Sequence, residues 1–271
     1  MAPAAFQGGS DPKIGVFSVQ DLSFEAQMGF ITARILVQLP DGRSSIGTGF
    51  LFLVPNPDGS GTTKTMLISN RHVFVDPKAK ITISFNRKKS DGTPDYGNII
   101  DFAQDNFEDI YYSHPDQTVD LACINASRIS HTDAYFQTIG VEFFKHESFS
   151  GVYPGEKVFF VGYPENRYDI INNLPLIRTG TIASIPSIDF NGKGQIVLDA
   201  QVFQGSSGSP VFCAKDGHYF LAGVISETMI RHAQLQTMNT NLAQVGVSQI
   251  LGLGIVVKQR HVKELLSLVQ F

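Results

Sequence analysis

Residues 203–212 read FQGSSGSPVF: two glycines and three serines between apolar ends. Glycine accepts positive φ and serine hydrogen-bonds nearby backbone, so by itself such a run is a turn joining two strands. It carries chemistry only if a base and an orienting acid stand elsewhere, because a serine hydroxyl is a poor nucleophile at neutral pH.

One serine turn is excluded directly. The G-x-S-x-G elbow of α/β hydrolases needs glycine where Ser209 stands, and it leads into a helix, whereas PVF continues as a strand. Asp216 and His218 follow Ser207 too closely to reach back as acid and base. Upstream, MLISNRHVF places His72 directly after a strand, and TVDLACI places Asp120 at the start of another. Taken singly, each reads as a structural residue. The order His72, Asp120, Ser207 joins three separate loops and supplies base, acid and nucleophile.

The surroundings of these loops are β-rich. FITARILVQL, TGFLFLV, KITISF, EKVFFVGYP, QIVLDAQVF and HYFLAGVIS are short runs of β-branched and aromatic residues, punctuated by Gly, Pro, Asn and Asp. Helical periodicity is confined to KQRHVKELLSLVQF, where Val262, Leu265, Leu266 and Val269 share a face. The pattern weakens near 125–150, where one β unit hands over to a second. A chain of 271 residues, 42% hydrophobic, is long enough for both to have cores.

The composition excludes other classes. Net charge is −4 with no Lys/Arg-rich run, so neither nucleic acid nor an anionic membrane is an expected partner. No stretch is apolar enough to span a membrane, and MAPAAFQGGSDPK lacks the apolar core of a signal peptide. Cys123 and Cys213 are far apart and flanked by apolar residues, which reads as two buried thiols in a reducing, cytoplasmic setting. His114, His131, His146, His218, His232 and His261 form no compact ligand spacing, so no metal and no cofactor are expected.

With these residues in view, the chain resembles the chymotrypsin-like serine peptidases, and within them the bacterial HtrA-type enzymes. SNRHVF resembles T-N-A-H-V-V, VDLACI resembles D-[IL]-A-[VL]-[IL], and RTGTIAS resembles V-T-x-G-I-V-S. LDAQVFQGSSGSP resembles T-D-A-x-x-x-x-G-x-S-G-G-P, LAGVIS resembles L-V-G-I-V-S, and GLGIVV resembles G-I-G-F-A-I. The pieces are collinear from about Gly47 to the final helix.

The resemblance implies an all-β fold of two six-stranded antiparallel barrels with a short C-terminal helix. Expected boundaries are a flexible segment over 1–23, a first barrel over 24–135, a connection over 136–150, a second barrel over 151–257 and a helix over 258–271. It implies a serine endopeptidase acting on protein or peptide substrates through an acyl-enzyme. Ser207 would attack, His72 would shuttle the proton, Asp120 would orient His72, and the N–H groups of Gly205 and Ser207 would form the oxyanion hole. Gln201 would stand at the base of the specificity pocket, with Val224, Gly252 and Gly254 lining it. The backbone of Ser226, Glu227 and Thr228 would pair with the substrate, and Ser226 would support Asp120. Gln201 in place of an acid implies uncharged residues on the acyl side of the cleaved bond.

Three departures from the family pattern qualify the expectation. Ser209 replaces the second glycine of G-x-S-G-G-P. Ser206 stands where digestive enzymes have the Asp that pairs with a new N-terminus, so KIGV at 13–16 is not an activation site. No PDZ module is expected after the final helix, and the polar stretch 227–248 reads as a long loop beside the site. That loop suggests control by a regulatory protein partner. The alternative to a peptidase is a catalytically idle module of the same fold that binds protein.

Overall fold

A computed structural model describes residues 23–144, 149–235 and 245–269. The expected flexible tail, save Ser23, lies outside them, as do the KIGV stretch and the middle of the connection over 136–150.

The first unit begins with a helix whose last two residues, Phe30 and Ile31, open a run expected to be strand. Helix α1 (Phe24–Ile31) is capped by Ser23, whose Oγ accepts from the Ala26 N–H at 3.4 Å. Its buried Met28 and Ile31 face the seam between the two units. The β-branched run that follows favours extended backbone, and β1 (Thr32–Gln38) starts at once. After it come β2 (Ser44–Pro55), β3 (Thr63–Ser69), β4 (Lys80–Lys88), β5 (Pro94–Asp105), β6 (Tyr111–Ser113), β7 (Ala122–Asn125) and β8 (Ala134–Tyr135). They form one antiparallel sheet in the order β5-β4-β1-β2-β3-β7-β6, with β8 on β4.

This corrects the expectation of two closed barrels. The ladder of the first unit is open, because its edge strands β5 and β6 do not pair. β6 is only three residues long, too short to carry a ladder across to β5. The sheet still curls around a core containing Ile35, Leu51, Leu67, Ile83, Phe107 and Ile124.

The second unit is a closed six-stranded barrel. Its strands are β9 (Lys157–Gly162), β10 (Leu176–Ile182), β11 (Gln195–Asp199), β12 (Pro210–Lys215), β13 (His218–Leu235) and β14 (Val245–Lys258), closed in the order β10-β11-β14-β13-β12-β9. Phe160, Ile196, Leu198, Val211, Phe220, Ile225 and Val256 fill it. Between the units lies a third core in which Phe50, Phe52 and Ile68 of one side meet Val161, Phe212, Leu221 and Val257 of the other. The expected C-terminal helix, α2 (Gln259–Leu266), closes this seam with Val262, Leu265 and Leu266, and Val269 follows it inside.

Much of the expected loop over 227–248 is strand. β13 and β14 continue past the barrel as a hairpin paired from Ile230↔Ile250 to Leu235↔Val245. Residues 236–244 lie outside the described residues. Ile230, Ile250 and Leu251 stand exposed along the hairpin.

Candidate active site

The turn at 205–209 is built from two glycines that no other residue would replace cheaply. Gly205 and Gly208 both have φ of +86°. A Cβ on Gly208 would stand 1.9 Å from the Thr48 carbonyl oxygen, and one on Gly205 2.5 Å from that of Tyr163. The first unit presses on the turn and holds it. The Thr48 N–H donates to the Ser207 carbonyl at 2.9 Å, and Thr48 Oγ1 donates to the Gly205 carbonyl at 2.9 Å. From within the second unit, Gly208 N–H donates to the Ile225 carbonyl and Ile225 N–H to that of Ser209, each at 2.9 Å. The Glu165 N–H donates to the Gln204 carbonyl at 2.5 Å. The N–H groups of Gly205 and Ser207 donate to no described residue.

His72 lies in a single helical turn, Arg71–Phe74, directly after β3. Asp120 lies just ahead of β7. The structure brings the two together. His72 Nδ1 is 2.6 Å from Asp120 Oδ2, and the His72 backbone N–H donates to Asp120 Oδ1 at 3.1 Å. Ser226, on β13, donates its hydroxyl to Asp120 Oδ2 at 3.2 Å, across the seam between the units. Burial lifts the Asp120 carboxyl, but the His72 and Ser226 bonds outweigh it and leave the group below its ordinary range. The His72 ring is half exposed. Ser207 is joined to this pair only through Ser226, with the Ser207 hydroxyl donating to the Ser226 carbonyl at 3.2 Å. Ser207 Oγ and His72 Nε2 share no hydrogen bond.

The residues expected to bind substrate divide into two groups. Thr228 and Gly254 are ladder partners, and Thr228 Oγ1 donates to the Val202 carbonyl at 2.7 Å. A Cβ on Gly254 would come within 2.5 Å of Val202 Cγ2, so the missing side chain gives Val202 its room. Gly252 has φ of +76° with open space around it, and its carbonyl accepts from the Ala200 N–H at 2.9 Å. Gln201 and Glu227 are exposed at the same end, and Ser226 is buried at the start of the run. Val224 is 0% exposed in the seam core and pairs with Pro210 and Val257. Val202 was missed by the sequence reading, although it adjoins Gln201.

Two further observations bear on the departures noted in the sequence. Ser206 is buried and its hydroxyl has no hydrogen-bond partner among the described residues, so a hydroxyl occupies the place of the acid without an ion to pair with. Cys123 and Cys213 are both free and buried, and burial pushes both thiols up, that of Cys213 to about 11.

A cluster of metal-ligating residues escaped the sequence because its members are far apart. His114 Nε2 is 3.1 Å and His261 Nδ1 2.7 Å from the same Glu264 oxygen. The Asp116 N–H donates to His114 Nδ1 at 3.1 Å. The same nitrogen is 3.4 Å from the Asp116 carbonyl. As arranged, two imidazoles are bridged by one carboxylate oxygen, which ties the C-terminal helix to the loop ahead of Asp120.

Comparison with known proteins gives the family and the fold. The family described as "Trypsin-like peptidase domain" matches residues 47–222. No curated protein sequence matches. Among solved structures, the HtrA-type protease AlgW with tripeptide has a TM-score of 0.51 at 16% identity, over 89% of this chain and 60% of that one. This chain thus spans less than two thirds of that relative. The catalytically active tobacco etch virus protease complexed with product has a TM-score of 0.46 at 13% identity, over 82% of this chain and 78% of that chain. Among the described residues, no helix is long and apolar enough to cross a membrane.

Proposed function

Since this chain belongs to the trypsin-like peptidase domain family, we propose that it is a serine endopeptidase whose working residues are His72, Asp120 and Ser207. The observation that supports the reading is the grip of His72 on Asp120 through both ring and backbone N–H, at 2.6 and 3.1 Å, with Ser226 bonded both to Asp120 and to Ser207. Such a grip fixes the imidazole with Nδ1 toward the acid and leaves Nε2 to act as base.

In the reaction, the Ser207 hydroxyl leaves the Ser226 carbonyl and gives its proton to His72 Nε2 as Oγ attacks the scissile carbonyl. Asp120 stabilises the imidazolium. The N–H groups of Gly205 and Ser207 receive the developing oxyanion, and one such donor is worth about 3 kcal/mol of barrier. His72 then protonates the leaving amine, and water hydrolyses the acyl-enzyme by the same route in reverse. No cofactor enters these steps. The substrate backbone would lie along Ser226–Thr228 as an added strand. Its acyl-side residue would meet Val202, Gln201, Gly252 and Gly254, a wall without formal charge, which favours small or aliphatic side chains. Buried free thiols fit a cytoplasmic setting.

The idle, protein-binding reading draws on one observation, the Ser207 hydroxyl turned to Ser226 rather than to His72. A diverse peptide library incubated with the chain and with Ser207→Ala separates the two. Cleavage after uncharged residues by the chain, reduced at least a thousandfold in the variant, is the expected result. Equal cleavage by both, or a profile led by Lys and Arg, contradicts it.

A further inference from the structure

Arg71 stands one residue before His72, where the resemblance has alanine. Its guanidinium reaches into the loop 114–119 that delivers Asp120. Nη1 donates to the Gln117 carbonyl at 3.0 Å and to Gln117 Oε1 at 2.9 Å. Nη2 donates to the carbonyls of Val119 at 2.8 Å, Asp116 at 3.2 Å and His114 at 3.4 Å. No ion pair with a carboxylate forms among the described residues, so the charge is spent on backbone oxygens. Charged donors make the stronger hydrogen bonds, and a planar fork fixes direction as well as distance. One side chain thereby joins the turn that presents His72 to the loop that presents Asp120. A second brace agrees in sense: Asn70 Nδ2 donates to the Asp120 carbonyl at 2.7 Å.

We propose that Arg71 is a positioning residue, which sets the His72–Asp120 contact by clamping the loop ahead of Asp120. The proposal deepens the peptidase reading for its kinetic consequence, but the geometric claim stands apart from it. Without the clamp the loop relaxes, the 2.6 Å contact lengthens, and His72 loses the partner that stabilises its charged form. Lysine does not replace arginine, because one ammonium cannot span carbonyls on both sides of the loop.

The test uses the full chain with labelled histidine, as wild type, Arg71→Lys and Arg71→Ala. Proton NMR reads the far-downfield His72 Nδ1–H signal, and peptide turnover is followed alongside. The expected result is loss of the downfield signal in both variants, with native circular dichroism. Turnover number falls ten- to a hundredfold while KM changes less than twofold. A merely structural role would lower the melting temperature and leave the His72 signal in place. If Arg71→Ala does not fold, Arg71→Lys, which keeps charge and stem, carries the test. An unchanged His72 signal in the folded variants overturns the proposal. A signal that responds to Arg71 in a chain without turnover keeps the proposal and removes the peptidase reading instead.

Discussion

Gly208 shows how much of the site rests on single atoms. Its φ of +86°, and the 1.9 Å at which an added Cβ would stand from the Thr48 carbonyl oxygen, leave no room for a methyl group. Gly208→Ala must move either the turn or β2, and both carry site geometry. Backbone strain of this kind costs about 1–3 kcal/mol, and the forced shift adds to it. The expected outcome is a melting temperature lower by several degrees and peptide turnover reduced at least a hundredfold. A variant with native turnover would show that the turn is not held as described. At this scale the sequence marked candidates. His72, Asp120 and Ser207 were readable together, through the order of their three stretches, and the structure brings His72 and Asp120 into contact. Arg71 was not readable, since all but one of its partners are backbone carbonyls more than forty residues away, and backbone oxygens leave no trace in residue identity. The Glu264 bridge between His114 and His261 was hidden for the same reason of distance.

The elements were less legible than the site. FITARILVQL is apolar throughout, and such a run cannot be divided by periodicity. The division falls at Thr32, where Ser23 capping and the buried Met28 and Ile31 hold one turn more of helix than the composition suggests. The paired part of β13 and β14 beyond Thr228 was read as loop because its sequence is interrupted by polar residues, whereas its backbone is paired from Ile230↔Ile250 to Leu235↔Val245. This hairpin rises from the strand proposed to pair with substrate, and we infer that it transmits partner binding to the site. Replacing 231–249 by an Asn-Gly turn tests this, since Ile230 and Ile250 already face each other across the ladder. The shortened chain should fold and differ several-fold from the full chain in turnover of one unspecific peptide. Fast and equal turnover by both would leave the projection without a part in control.

Over the whole molecule, the site exists only where two units meet. His72 and Asp120 come from the open sheet, Ser207 and Ser226 from the closed barrel. The bond from Ser226 to Asp120 and the bonds from Thr48 to the serine turn cross the seam. Phe50, Phe52, Val161, Phe212 and Val257 hold that seam dry, with the C-terminal helix laid over it. The two-unit plan was legible because strand alternation and turn residues recur along the chain. Closure was not, because it depends on whether the three-residue β6 meets β5, and neither strand's sequence states that. The central claim is that this seam activates Ser207 as a nucleophile, and the most direct measurement is labelling by a fluorophosphonate probe, mapped by peptide mass spectrometry. The account predicts one adduct, on Ser207, abolished in Ser207→Ala and slowed at least a hundredfold in His72→Ala. Absence of label on the folded chain, or label on another serine that survives both substitutions, would contradict it.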